Sequence, residues 1–414
     1  MDLKQNRNTS GVVARSRQDF PLLQDRADHA PRYTYFDNAC QTLRPQVVID
    51  AINQYYLKSS ACAGRSMHQL AAEVTRNCDQ ARSMLAKFLN ATRKEEVVFT
   101  RNTTEGINLV ANSLGFQKGD VILISDKEHN SNLIPWQVLA KKKEIILKII
   151  PSGEDNTFDL GAFEKLLNKK VRLVSLGYTS NLDGVSIPVA EVIKKAHQNG
   201  SLVLLDAAQG VPHQKINVKA LDIDLMAFSG HKMLGPSGTG VLYGKYALLE
   251  QLEPFLVGGD TVLSSTYETC QFLPPPEKFE AGLQDYAGII GLGAAAKYLQ
   301  DIGFEAIQNQ EHLLNEMITA EIKDIPRLRI IGPQDPRQRG GIVSFYVEGV
   351  DPHRIALMLD QMANIQVRSG QHCVHSWFNA HQITGSVRAS LYFYNTPEEA
   401  GLFVNNLKKI MRIL

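Results

Sequence analysis

From Val97 onward the chain alternates short apolar runs with amphipathic stretches. The runs are Val97-Val98-Phe99-Thr100, Val121-Ile122-Leu123-Ile124-Ser125, Ile145 to Ile150, Val171 to Leu176, Leu202 to Leu205, Leu225 to Phe228 and Gly240 to Tyr243. Most are continuous in their apolarity rather than alternating, as strands buried on both faces are. Between them lie segments with helical spacing, such as Ile107 to Leu114 and Ala190 to Gln198. This order predicts an α/β fold with a mainly parallel sheet covered on both faces. Ligands of such sheets sit at the carboxyl ends of the strands.

The flanks read differently. Residues 1 to about 30 are polar and weakly periodic, a loose or docking N-terminal arm. Tyr33-Thr34-Tyr35-Phe36 enters the globular part, and Asp37-Asn38-Ala39-Cys40 is a small-residue turn. Helical spacing runs over Pro45 to Tyr56 and again from about Gln69 to Leu89. Leu256 to about Tyr286, with Gly258-Gly259 and Pro274-Pro275-Pro276, predicts a long irregular connection, and a long helix begins near Gly288. After about 300 the pattern becomes α+β: helix Glu305 to Lys323, strand Gly341 to Val347, helix Pro352 to Gln361, strand Ile365 to Arg368, strand Val387 to Leu391, helix Pro397 to Ile413. The expected organisation is an arm (1–30), a large domain (31–300) and a smaller C-terminal domain (301–414).

Composition narrows the function classes. The 44 basic and 43 acidic residues give a net charge of +1, so no electrostatic case exists for nucleic acid or an anionic membrane. The run Lys141-Lys142-Lys143 reads as the solvated end of a helix. No apolar run reaches the roughly 18 residues of a membrane span, and the N-terminus lacks an apolar signal core. The five cysteines form no C-x-x-C pair, which argues against a zinc site or a disulfide framework. The expectation is a cytoplasmic protein with reduced thiols and no metal.

The chemistry-bearing residues fall at the strand ends. Lys232 follows Leu225-Met226-Ala227-Phe228 within Ser229-Gly230-His231-Lys232. An amine placed there can hold the aldehyde of pyridoxal 5′-phosphate (PLP), a cofactor that also needs a carboxylate at its pyridine nitrogen, phosphate donors and a cover for its ring. Asp206 ends Leu202-Val203-Leu204-Leu205 and suits the pyridine nitrogen; read alone it serves equally as a helix N-cap. Gln209 can reach the phenolic oxygen or lie on the surface. Thr103 and Thr104, between a strand and a helix start, can hold a phosphate or simply cap the helix. Ser229 and His231 can add phosphate contacts. His129 can stack on the ring or be structural. The order T-T, H, D-x-x-Q, S-x-H-K, each after an apolar strand, favours the cofactor reading of all of them together.

Further on, Arg368-Ser369-Gly370-Gln371-His372-Cys373-Val374-His375 sets a thiol among Arg368, His372 and His375, cations of which would favour the thiolate nucleophile. A buried inert cysteine and a histidine-rich metal site remain open alternatives. Arg388, in Ser386-Val387-Arg388-Ala389-Ser390, suits bidentate grip of a substrate carboxylate or a structural salt bridge.

These stretches closely resemble the class V aminotransferase-fold (fold type I) PLP enzymes, and within them the group II, SUF-type cysteine desulfurases and selenocysteine lyases. The likeness is carried by R-N-T-T-E-G-I-N-L-V-A (101–111), D-K-E-H-N-S-N (126–132), T-S-N-L-D-G (179–184), L-D-A-A-Q (205–209), F-S-G-H-K-M-L-G-P-S-G-T-G-V-L-Y (228–243), F-E-A-G (279–282), R-S-G-Q-H-C (368–373) and R-A-S-L-Y-F-Y-N-T (388–396). It implies that Lys232 holds PLP and shuttles protons, with Asp206 at the ring nitrogen, Gln209 at the phenolic oxygen and His129 on the ring. It assigns the phosphate to Thr103, Thr104, Ser229 and His231, and the substrate carboxylate to Asn181 and Arg388. Cys373 would take sulfur from L-cysteine as a persulfide, leaving L-alanine, and pass it to a sulfur-acceptor protein for iron–sulfur or other sulfur-cofactor assembly. A homodimer is implied. Selenocysteine lyase, or another class V enzyme in which Cys373 is dispensable, is the alternative. Departures from the pattern are Gln371 and Val374 around the thiol, Leu283 where a phosphate-reaching threonine is usual, and Cys40 in place of a small residue.

Overall fold

The computed structural model describes residues 16–24 and 33–414. Seven strands form the principal sheet: β1 (Val97–Thr100), β2 (Val121–Ser125), β3 (Ile146–Ile150), β4 (Val171–Gly177), β5 (Leu202–Asp206), β6 (Leu225–Ser229) and β7 (Gly240–Gly244). Their order is β1-β7-β6-β5-β4-β2-β3. All run parallel except β7, which is antiparallel to both β1 and β6. The continuous apolar runs feed two cores at once: Val121 and Leu123 face one side, Ile122 and Ile124 the other, as do Met226 and Phe228 against Leu225 and Ala227. The exception is β3, an edge strand. Its Ile146 and Ile149 are exposed, and Lys148 marks the unpaired side.

Helices cover the sheet. They include α1 (Gln46–Lys58), α2 (Gln69–Leu89), α3 (Thr103–Ser113), α4 (Ile134–Lys143), α5 (Val189–Asn199) and α6 (Tyr286–Ile302), with α1 and α2 packed on α6. Helix α3 starts four residues before the expected Ile107, because the Asn102 side chain caps it by accepting from Glu105 N–H at 3.0 Å. Lys141, Lys142 and Lys143 form the exposed last turn of α4, where their charge complements the helix dipole.

The C-terminal layer begins with α7 (Phe304–Ile322). Its sheet contains β8 (Leu328–Ile330), β9 (Ile342–Val347), β10 (Arg368–Gly370) and β11 (Ser386–Ser390), in the antiparallel order β8-β9-β11-β10. It packs on α7, α8 (Pro352–Ala363) and α10 (Pro397–Ile413), while the short α9 (His375–Ala380) follows the cysteine. The expected strand Ile365 to Arg368 is in fact two. Ile365–Gln366 pairs parallel with Thr34–Tyr35, whereas Arg368–Gly370 joins β11. Local pattern cannot reveal a change of partner between neighbouring residues. The connection over 256–286 also contains a hairpin, Val262–Ser265 with Cys270–Phe272. It is largely exposed and so carries no burial alternation to read.

Of the expected arm, residues 1–15 and 25–30 lie outside the described residues. The described part is docked. Phe20 is fully buried with its ring 4.5 Å from that of Tyr394, and Arg17 pairs with Glu399 at 2.7 Å.

Candidate active site

The register aligns the carboxyl ends of the central strands: Gly177 lies opposite Asp206, Asp206 opposite Ala227, and Ser229 opposite Gly240. A cleft of about 230 Å³ opens there, lined among others by Thr103, His129, Asp206, Ser229, Lys232 and Arg388. The loops after β1, β2, β4, β5 and β6 and the strand β11 thus bring into one space residues spread over nearly 300 positions.

Lys232 closes the short 3-10 turn Gly230–Lys232 directly after β6. Its Nζ makes no hydrogen bond to any described residue, and burial lowers its pKa against the opposing pull of Asp206. Asp206 is buried. One carboxylate oxygen accepts from Ala208 N–H at 3.0 Å, but turns and no helix follow, so the helix N-cap reading of this residue does not hold. The other oxygen has no partner among the described residues, and no cation stands within ion-pair distance. Burial accordingly pushes the carboxyl up, with Lys232 pulling it back. Gln209 gives its Nε2–H to the Ala39 carbonyl at 2.7 Å and leaves its buried Oε1 bare. Contact with a phenolic oxygen would therefore use the second hydrogen of that Nε2.

At one end of the cleft, Ser229 Oγ accepts from Thr103 N–H at 2.8 Å and lies 2.6 Å from Thr103 Oγ1. Thr104 Oγ1 meets Ser131 Oγ at 2.7 Å. The N-cap is Asn102, not a threonine, so both threonines lie inside the first turn of α3, where N–H groups and dipole favour an anion. His231 is half-buried; burial, then Lys232, lowers its pKa to about 4. His129 Nδ1 accepts from Ser131 N–H at 3.1 Å, leaving the ring proton on Nε2. Burial and Lys232 lower its pKa to about 3, so the ring is neutral.

At the other end, Arg388 is 1% exposed. Its Nη1 donates to the Asn181 carbonyl at 2.8 Å, its Nη2 lies 3.4 Å from Asp37 Oδ1, and its Nε has no partner. Asn181 in turn donates from Nδ2 to the His372 carbonyl at 2.8 Å. The next carbonyl, that of Cys373, accepts from Asn130 N–H at 2.8 Å. His372 and Cys373 both adopt left-handed backbone, φ +49° and +61°, which for side chains of this size costs about 1–2 kcal/mol each. Arg368 Nη2 stands 3.8 Å from Cys373 Sγ.

The expected cationic setting of the thiol is thus corrected. His372 is buried, with Nε2 2.8 Å from Ser386 Oγ; burial, then Arg388, lowers its pKa to about 2, so it brings no charge. His375 turns to Asn130, with Nδ1 at 2.9 Å from its Nδ2. Arg368 is the cation that reaches sulfur. Cys373 is half-buried and does not line the cleft, although its neighbours Arg368 and His372 do. Among the described residues no group of three or more His, Cys, Asp or Glu could hold a metal ion.

Sequence reasoning missed Glu128, which lines the cleft beside His129. It is buried and accepts from Ser125 Oγ at 2.6 Å, Asn132 Nδ2 at 2.7 Å and Gly177 N at 3.0 Å, and burial raises its pKa to about 7. A charged residue directly before a candidate ring-covering histidine was the available signal. Cys40 also lines the cleft, whereas Leu283 is two-thirds exposed elsewhere.

A seven-stranded sheet with one reversed strand, and a lysine on the turn leading into that strand, define a fold-type I α/β enzyme. Residues 34–403 match the family Aminotransferase class-V. A cysteine desulfurase of Dickeya dadantii is 40% identical over 97% of this chain and 97% of its own. The apo structure of a cysteine desulfurase from Thermococcus onnurineus NA1 superimposes with a TM-score of 0.91 at 38% identity, covering 97% of this chain and 98% of that one. A mutant of C-DES with glycine covalently linked to its PLP cofactor gives 0.81 at 25% identity, covering 94% and 98%. The chain belongs to the cysteine desulfurases, enzymes of aminotransferase class V.

Proposed function

We propose that the enzyme binds PLP in this cleft and moves the sulfur of L-cysteine onto Cys373, releasing L-alanine. The residues fit the cofactor. Asp206 is a buried carboxylate with a bare oxygen and no cationic partner, an arrangement that a pyridinium N–H completes. Lys232 is an unengaged amine in the same cleft, and would hold the cofactor through its aldehyde. Thr103, Thr104, Ser229 and His231 would hold the phosphate, the neutral His129 ring would cover one face, and Gln209 would lie near the phenolic oxygen. When bound, PLP supplies the electron sink that makes the Cβ–Sγ bond of cysteine breakable.

The chain's own residues do the rest. Arg388, with Asn181 beside it, receives the substrate carboxylate and fixes the amino acid relative to Lys232. Lys232 Nζ takes the proton from the substrate's Cα and returns it there at the end of the turnover. The Cys373 thiolate, with Arg368 as counter-charge, attacks the substrate sulfur: an S–S bond forms, the Cβ–S bond breaks with its electron pair left on Cβ, and Cβ takes up the proton given up by the Cys373 thiol, which completes alanine. The persulfide then passes to an acceptor protein, in support of iron–sulfur cluster or other sulfur-cofactor assembly in the cytoplasm.

A homodimer is part of this reading. Met67, Val257 and Leu263 are exposed apolar side chains, and a partner subunit would cover such exposure. So is a division into a large domain carrying the cofactor and a C-terminal domain, beginning near residue 301, carrying the thiol.

The observation that carries the proposal is the unengaged Lys232 beside the bare Asp206 oxygen, in a cleft that also holds Arg388. Mass spectrometry of the protein after L-cysteine should find one added sulfur on the Cys373 peptide. Alanine production with no sulfur on that peptide overturns the role of Cys373.

A further inference from the structure

Asn181 lies between the two parts of the site that must act together. Its backbone carbonyl accepts from Arg388 Nη1 at 2.8 Å, and its side-chain Nδ2 donates to the His372 carbonyl at 2.8 Å. Arg388 lines the cleft, and His372 directly precedes the thiol. Asn181 is itself buried, on the loop that follows β4. The turn it holds is one that L-residues rarely adopt, since His372 and Cys373 are consecutive left-handed residues without a glycine. Such a turn persists only where its surroundings fix it. Its restraints include the His372 ring on Ser386 Oγ, the Val374 N–H on the Gln371 carbonyl and the Asn130 N–H on the Cys373 carbonyl, each at 2.8 Å; Asn181 is the one that also ties the turn to Arg388.

We infer that Asn181 is a positioning residue that locks the thiol-bearing turn to the carboxylate-binding arginine, so that substrate seated on Arg388 meets the Cys373 sulfur in fixed register. This goes beyond a contact to the substrate carboxylate, for which only the second hydrogen of its Nδ2 remains. It rests on the reading of Cys373 as the sulfur acceptor. The amide hydrogen bond to His372 is essential to it, because a side chain of the same shape without the N–H donor would release the turn.

The test uses the PLP-loaded enzyme with Asn181→Asp, which replaces the donor with an acceptor, and Asn181→Ala, which removes it. Alkylation of native Cys373 by iodoacetamide, followed on the Cys373 peptide without substrate, should accelerate threefold or more in both variants. Single-turnover persulfide formation at saturating cysteine should fall at least tenfold. If alkylation stays within threefold of wild type in whichever variant retains its cofactor spectrum, or if half-saturation rises tenfold with the persulfide rate at saturation unchanged, the inference is overturned and Asn181 is only a substrate ligand. Cys373→Ala in parallel separates the two claims. Sulfur appearing on another residue would defeat the underlying reading and leave the alkylation result standing.

Discussion

The backbone N–H of Asn130 donates to the carbonyl of Cys373 at 2.8 Å, joining the residue after the cleft-lining His129 to the residue that carries the thiol. The two are 243 positions apart (373 − 130) and belong to loops of different sheets. The loop of His129 and the loop of Cys373 are therefore fixed to each other by backbone rather than by flexible side chains.

That geometry makes the thiol's backbone a measurable quantity. Cys373 sits at φ +61°, where a Cβ is unfavourable. Cys373→Gly should be more stable than Cys373→Ala by about 1 kcal/mol in urea unfolding, and both should lose persulfide formation while keeping the cofactor absorbance. Equal stability of the two variants would show that the turn carries no strain.

Asp206 is costly without a cation. Asp206→Asn should leave the cofactor-free protein as stable as wild type or more stable by about 1 kcal/mol, because a buried carboxylate lacking a partner is removed. The same change should weaken PLP retention and abolish most turnover. Tight PLP binding by the variant, judged by equilibrium dialysis, would place the ring nitrogen elsewhere.

Gly240 allows β7 to approach the loop that starts α3. A Cβ there would lie 2.7 Å from Asn102 Cα and 2.7 Å from the Phe228 carbonyl. Gly240→Ala should cost about 2–3 kcal/mol, in the range of overpacked cores. It should also lower PLP affinity, since it displaces Asn102 and the first turn of α3. A destabilised variant with undiminished PLP affinity would separate the phosphate site from that turn.

Three buried or half-buried histidines make stability sensitive to acid. His129, His231 and His372 are held at about 3, 4 and 2, below the ordinary 6.5. Each takes up a proton on unfolding below pH 6.5, so its contribution is complete above that pH and is lost as pH falls toward the folded value. Glu128, raised to about 7, acts in the opposite sense: its protonated form adds stability at low pH that is lost as pH rises from about 4.5 to 7. Asp37, Asp206 and Glu277 are raised by burial in the same direction as Glu128, so the histidine share is read from a variant and not from the total. Between pH 7 and pH 5 the wild type should lose roughly 2 kcal/mol of urea stability relative to His372→Gln. A pH dependence unchanged by His372→Gln would mean that this imidazole is protonated in the folded protein.

Much of this architecture was legible in the chain. Leu202 to Leu205 and Leu225 to Phe228 are apolar on consecutive positions, which only a strand covered on both faces requires, and both proved central. Asp206, directly after the first, and Lys232, on the turn after the second, were legible for the same reason, because strand ends are where an α/β sheet exposes its chemistry. The split of Ile365 to Arg368 was not legible, because partner choice depends on Thr34 and Arg388, each distant in sequence. Nor was the charge state of His372. Its sequence neighbours suggested a cation for the thiol, but burial against Ser386 and Arg388 leaves the imidazole neutral.

The sequence by itself determined most of the strands and helices, the two-faced sheet and the set of reactive groups, because burial periodicity and residue chemistry are local properties of a chain. Only the tertiary structure decided that Lys232 and Asp206 share one cleft without ion-pair partners, that Arg368 alone among the expected cations reaches the Cys373 sulfur, and that Asn181 and Asn130 help hold the thiol's turn. Those are relations between loops of different strands, and they arise where packing excludes water and leaves each buried polar group to find a partner or go without.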